Sequence, residues 1–78
     1  MTATVPRTPA EIDAKRLELV ARARALGWSQ NTLARKAKKD VGHFSRVLRG
    51  LLVAAPTWIA AERALLREER RRSRTRAA

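Results

Sequence analysis

The side chains of this sequence that could do chemistry are mainly lysines and arginines, and their chemistry is the binding of anions. The chain has 78 residues, with 18 Lys and Arg against seven Asp and Glu, so its net charge is +11. The excess lies in segment 27–50, with six basic residues and one acid, and in segment 51–78, with seven arginines and three glutamates. We expect so basic a small protein to bind a polyanion, nucleic acid first and an anionic membrane surface second.

Residue types that serve catalysis or metal binding are scarce. There is no Cys and no Tyr, and there is one His. His43 has no companion ligands that would make a metal site, and Asp40 has no base or nucleophile beside it. The sequence therefore predicts that the protein is not an enzyme and that it holds no metal and no other cofactor.

The elements that must position the basic residues are helices. Fifteen alanines and nine leucines, with few β-branched or aromatic residues, are typical of a small all-α domain. A chain below about 80 residues holds one domain at most. The sequence has no apolar run of the ~18 residues that suggest a membrane span and no features of a signal peptide at its N-terminus. We therefore expect a cytoplasmic protein.

Start and stop signals divide the sequence into four helices. The first begins with Thr8 as N-cap, followed by Pro9 and Glu11 in the pattern of a capping box, and it ends near Gly27. Ser29 is the predicted N-cap of the second helix, residues 30–37.

The third helix is short and begins at an acidic cap. Asp40 is its predicted N-cap, residues 41–49 form the helix, and Gly50 closes it. Thr57 is the predicted N-cap of the fourth helix, which continues past Leu66 into residues 67–72, with a disordered end from Ser73 onward. The chain thus divides into a flexible N-terminal arm, a four-helix domain and an Arg-rich helical extension or tail: residues 1–7, 8–66 and 67–78. Two interpretations of the tail stay open: contact with a phosphate backbone or minor groove, and a disordered solubilising segment.

The predicted third helix has two different faces. Its apolar residues follow helical spacing and are expected to anchor it to the domain: Phe44, Val47, Leu48 and Leu51. The other face has small or compact side chains at its N-terminal end, flanked by arginines: Val41, Gly42, Ser45, Arg46 and Arg49. No acid follows Asp40 in this helix, so the narrow face can approach a groove in a polyanion closely.

Residues 30–50 resemble the lambda-repressor/Cro-type (Xre-like) helix-turn-helix family. The pattern of that family runs roughly Q-x-x-L-A-x-x-x-G-V-S-x-x-x-I-S-x-x-E-x-G. Five residues match it directly: Gln30, Leu33, Ala34, Ser45 and Gly50. Lys38 stands where the family has its turn glycine, and a left-handed residue other than Gly costs on the order of 1 kcal/mol. The resemblance implies an all-α helix-turn-helix domain with its motif at residues 30–49.

Positions carried over from the family imply two sets of DNA contacts. The base-reading positions are Val41, Gly42, Ser45 and Arg46. The positions expected on the DNA backbone are Gln30, Asn31, Lys38, Lys39, His43 and Arg49. The family also implies a homodimer on a palindromic site, with recognition helices one helical turn apart.

The function expected from this resemblance is sequence-specific binding of double-stranded DNA by a small, nucleoid-associated transcriptional regulator, a repressor or activator of phage or mobile-element origin. RNA polymerase or another protein is a further expected partner, and a membrane is not. Two alternatives stay open. One is a nonspecific or architectural nucleic-acid-binding protein, and the other is an antitoxin or antirepressor that binds a protein.

Overall fold

The computed structural model describes residues 5–77, and these residues form four helices and no strand. The helices are α1 (Pro9–Ala25), α2 (Gln30–Lys36), α3 (Val41–Leu48) and α4 (Ala55–Ala77). All four contribute to one core, which is rich in alanine: Leu19, Ala23, Leu33, Ala34, Ala37, Phe44, Val47, Leu48, Trp58, Ala61, Ala64 and Leu65. The predicted small all-α fold is confirmed.

The capping box at the start of α1 forms as predicted. The Glu11 backbone N–H donates to Thr8 Oγ1 at 3.1 Å, and the Thr8 N–H donates back to Glu11 Oε1 at 2.9 Å. The backbone N–H groups of Thr8 and Arg7 both donate to Glu11 Oε1 and hold the pKa of the Glu11 carboxyl below its ordinary value. The caps of α2 and α3 are also those predicted, because Ser29 Oγ accepts from the Thr32 N–H and Asp40 Oδ2 accepts from the His43 N–H.

The first three helices end in the same way. After each helix the chain makes a Schellman motif, in which one residue is left-handed and the next donates its N–H to a carbonyl five residues back. The left-handed residues are Gly27 at φ 80°, Lys38 at φ 59° and Gly50 at φ 80°. Lys38 therefore adopts the same left-handed conformation as Gly27 and Gly50, and the turn between α2 and α3 closes in the same way as the other two helix ends.

Lys38→Gly is expected to stabilise the protein by about 0.5–1 kcal/mol. Relief of a left-handed side chain gains roughly 1–2 kcal/mol, and the greater freedom of glycine in the unfolded chain takes back part of it. Urea unfolding measures the difference. Lys39→Ala removes the same charge without touching the left-handed position, so equal stabilisation by both variants contradicts the assignment of strain to Lys38.

Two predictions around the connection from α3 to α4 are wrong. Leu51 is 69% exposed, not part of the anchoring face, because the chain turns at Gly50 and leaves the helical repeat. Thr57 is not an N-cap, because α4 begins at Ala55 and places Thr57 in its first turn, where it is 1% exposed.

The two ends of the chain are more ordered than predicted. In the expected flexible arm, residues 1–4 lie outside the described part, but Val5 packs against the core and Pro6 is buried. At the other end the predicted disorder is wrong for residues 73–77, because α4 continues to Ala77, and residue 78 lies outside the described part. Contacts with the body support this extension: the Arg72 guanidinium donates to the Leu26 carbonyl at 2.7 Å.

An ion-pair network joins α4 to α1. Glu62 is 8% exposed and accepts from Lys15 Nζ at 2.8 Å and from Arg22 Nη1 at 2.6 Å. Arg22 also makes a two-pronged contact with Glu69, at 2.7 and 3.0 Å. Burial by itself raises the pKa of Glu62, but the hydrogen bonds from Lys15 and Arg22 outweigh it and hold the pKa below its ordinary value.

Glu62→Gln is expected to lower the free energy of unfolding by about 1–3 kcal/mol at neutral pH, because it removes a charge from a paired and nearly buried group. A carboxyl with a lowered pKa in the folded state stabilises the fold above its ordinary pKa of about 4.3, and this stabilisation is lost as the pH falls through the folded value. The gap between wild type and variant should therefore narrow in urea titrations below about pH 4. Glu18→Gln is the control, because Glu18 contacts the same two cations from an exposed position. A gap that does not change with pH contradicts this role of Glu62.

Candidate nucleic-acid interface

Helix α3 is held against the domain by one face. Phe44, Val47 and Leu48 are each 0% exposed and belong to the common core. On the opposite face Gly42, Arg46 and Arg49, spaced i, i+4 and i+7, are exposed. The predicted division of this helix into an anchoring and a free face is therefore present, apart from Leu51.

The N-terminal end of the free face is slim. Val41 and Ser45 are half-buried, and Gly42 is exposed. A Cβ added at Gly42 would lie 3.2 Å from Asp40 Oδ2, the atom that caps α3. Glycine at this position therefore leaves room for the capping carboxylate, and no side chain projects from this part of the helix surface.

His43 faces the domain rather than only solvent. Its Nε2 lies 3.0 Å from Thr57 Oγ1, within hydrogen-bond distance, and Thr57 is buried. The pair ties the first turn of α3 to the first turn of α4. The sequence predicts a DNA-backbone contact for His43 and a capping role for Thr57. In the structure the imidazole helps to position the helix.

The remaining candidate backbone residues surround α3 in the chain. Asn31 and Lys38 are exposed, Gln30 and Lys39 are half-buried, and Arg49 is the exposed C-cap of α3. Lys38 and Lys39 occupy the turn that leads directly into α3. Lys38, Lys39, Arg46 and Arg49 have no ion-pair partner within residues 5–77. The helix-turn-helix segment thus offers four cations that the described protein leaves unneutralised.

A second basic surface lies on α4. It overlaps the predicted Arg-rich tail, and the sequence did not predict it as a surface of its own. Four arginines occur at i, i+4, i+7 and i+11 and line one shallow groove: Arg63, Arg67, Arg70 and Arg74. All four are exposed. We call this set the α4 arginine stripe. The spacing was visible in the sequence, but the expected disorder from Ser73 hid it by ending the helix before Arg74.

Residues 5–77 contain no group of three or more His, Cys, Asp and Glu side chains placed to hold a metal ion. None of the described helices combines the length and apolar character needed to cross a membrane. Comparison with family models, curated proteins and solved structures found no match to this chain.

Proposed function

We propose that the protein binds double-stranded DNA in a sequence-specific manner and regulates transcription. Helix α3 enters the major groove with its free face, and the α2 side and the turn approach the phosphates. A major groove about 12 Å wide accepts a helix whose leading side chains are small.

One observation carries this proposal. Three apolar residues of α3 are fully buried, while the opposite face is slim at its N-terminal end and carries Arg46 and Arg49 without an acidic partner in the described chain. An ordinary solvated helix mixes acids with bases on its outer face, which gives i, i+4 pairs. Residues 27–50 contain one acid, Asp40, and its carboxylate is engaged in capping.

The proposed contact residues fall into two groups, those that contact base edges and those that contact phosphates. Arg46 is the proposed donor of two hydrogen bonds to a guanine, and Val41 is small enough to contact a thymine methyl. Ser45 is suited to a single base-edge hydrogen bond, and Gly42 provides close approach. Lys38, Lys39 and Arg49, with Gln30 and Asn31, contact phosphates, which fixes register without reading sequence.

A two-fold dimer on a palindromic site is part of the proposal, since two α3 helices one turn apart read more sequence than one. Leu51 and Val53 supply apolar surface for it in the connection from α3 to α4, because they are 69% and 100% exposed. Occupancy of a promoter then blocks or recruits RNA polymerase.

The decisive test is selection of bound duplexes from a random pool by the purified protein, followed by sequencing. An enriched motif supports sequence-specific recognition, and two-fold symmetry in the motif supports the dimer. Equal recovery of all duplexes favours the nonspecific architectural alternative. Absence of DNA binding, together with stable co-purification of a protein partner, favours the antitoxin or antirepressor alternative.

A further inference from the structure

The acidic side chains of α4 are all engaged away from the α4 arginine stripe. Glu62 pairs with Lys15 and Arg22, and Glu69 pairs with Arg22. Glu68 pairs with Arg71 and Arg72, and these contacts lower its pKa to about 2. The four stripe arginines have no ion-pair partner among residues 5–77.

This separation of charge works against helix stability. Like charges three or four residues apart destabilise a helix by roughly 0.2–0.5 kcal/mol for each pair. Arg63 and Arg67, Arg67 and Arg70, and Arg70 and Arg74 are such neighbours. A face that only keeps the protein soluble gains nothing from excluding glutamate, whereas an anion from outside the chain turns the repulsion into binding.

We propose that the α4 arginine stripe binds the phosphate backbone of duplex DNA, as a second contact surface distinct from α3. The four guanidinium groups extend over about 16 Å of helix axis, a length along which duplex DNA presents on the order of ten phosphates. Arginine suits this partner because its planar donors match phosphate oxygens in pairs. The inference rests on the proposed function only in taking DNA as the polyanion.

The other faces of α4 argue against a membrane surface as the occupant. An interfacial helix needs a free apolar face opposite its charges. Most apolar residues of α4 are already buried in the core: Trp58, Ala61, Ala64 and Leu65. Ile59 and Leu66 are half-buried, and only Leu66 of this pair lines the groove of the stripe, so they do not form a free apolar face. What remains accessible beside the stripe is mostly charged, which fits a phosphate backbone better than acyl chains.

The experiment measures how the affinity for a mixed-sequence duplex depends on salt. Each neutralised phosphate contact contributes about −0.9 to the slope of log K against log salt concentration. The triple variant R63Q/R67Q/R70Q keeps good helix formers and removes three stripe charges. The control R7Q/R24Q/R71Q removes three exposed charges that lie outside the stripe and outside the helix-turn-helix segment. We expect the slope to flatten by about 2–3 in the stripe variant and by less than about 1 in the control.

Equal slopes in the two triple variants overturn the proposal. So does an unchanged slope in the stripe variant accompanied by lost binding to phosphatidylserine vesicles, because that result assigns the stripe to a membrane. Helical content by circular dichroism confirms that both variants are folded. Failure of the proposed function looks different: random selection then yields no motif, while the slope difference between stripe and control variants persists.

Discussion

Arg46→Ala is expected to weaken binding to the preferred duplex by roughly 5–150-fold and to erase the preference at one base position. The reason is that a bidentate arginine–guanine contact discriminates by about 1–3 kcal/mol, and each 1.4 kcal/mol is a factor of ten. Arg46 is exposed on a helix whose other face is buried, so its removal leaves the fold intact. Selection from a random pool, repeated with the variant, measures the loss of the base preference, and titration of the preferred duplex measures the loss of affinity.

Two further variants separate base reading from charge. Arg46→Lys keeps the charge but lacks the planar pair of donors, so it should retain most nonspecific affinity and still lose the preference. Arg24→Ala removes an exposed charge from α1 and should leave the selected motif unchanged. If Arg46→Ala lowers affinity equally for every duplex and the motif survives, Arg46 contacts phosphate and reads nothing.

The parts of the fold that sequence predicts best are those fixed by local hydrogen bonds. The caps at Thr8, Ser29 and Asp40 depend only on residues three positions apart, so their signals are complete in the sequence. The same holds for the turns at Gly27 and Gly50. Lys38 lacks the glycine signal of the other two helix ends but adopts the same left-handed conformation, because the Schellman bonds around it compensate a modest strain.

The parts that sequence missed depend on contacts between distant segments. Thr57 has the residue type and position of a cap, but the hydrogen bond to His43, fourteen residues away, places it inside. Residues 73–77 have the polar, basic composition of a disordered end. They are nevertheless helical, because the Arg22–Glu69 and Arg72–Leu26 contacts hold the preceding turns of α4 against α1. Acids at Glu62 and Glu69, spaced i, i+7 on α4, were the available signal for that docking.

The candidate site shows the same division. Spacing alone separated Phe44, Val47 and Leu48 from Gly42 and Arg46, because periodicity determines which face a short helix buries. Periodicity gave no information once the helix ended, so Leu51 was placed wrongly. Periodicity also does not show which cations lack an ion-pair partner. For the α4 arginine stripe this required the partners of Glu62, Glu68 and Glu69, which only the structure gives.

The core that holds α3 in place is small, so its largest fully buried side chain, that of Phe44, should decide both folding and binding. Phe44→Ala is expected to cost about 3–5 kcal/mol, since Phe44 is 0% exposed and truncation leaves a cavity. A core in a domain of this size supplies only about 3–5 kcal/mol of net stability. The variant should therefore be largely unfolded at room temperature by circular dichroism and should bind the preferred duplex more weakly than wild type, because binding must also refold the domain.

Added DNA distinguishes unfolding from loss of a contact. Ligand at 100 times its dissociation constant stabilises the folded state by about 2.7 kcal/mol, so excess duplex should restore much of the helical signal of Phe44→Ala. Phe44→Leu, which keeps most of the buried volume, should cost about 1.5 kcal/mol or less and retain the selected motif. Phe44→Ala could instead unfold cooperatively with the same urea midpoint as wild type and yet select no motif. That result would mean that Phe44 touches the DNA, and it would refute the anchored-helix arrangement of α3.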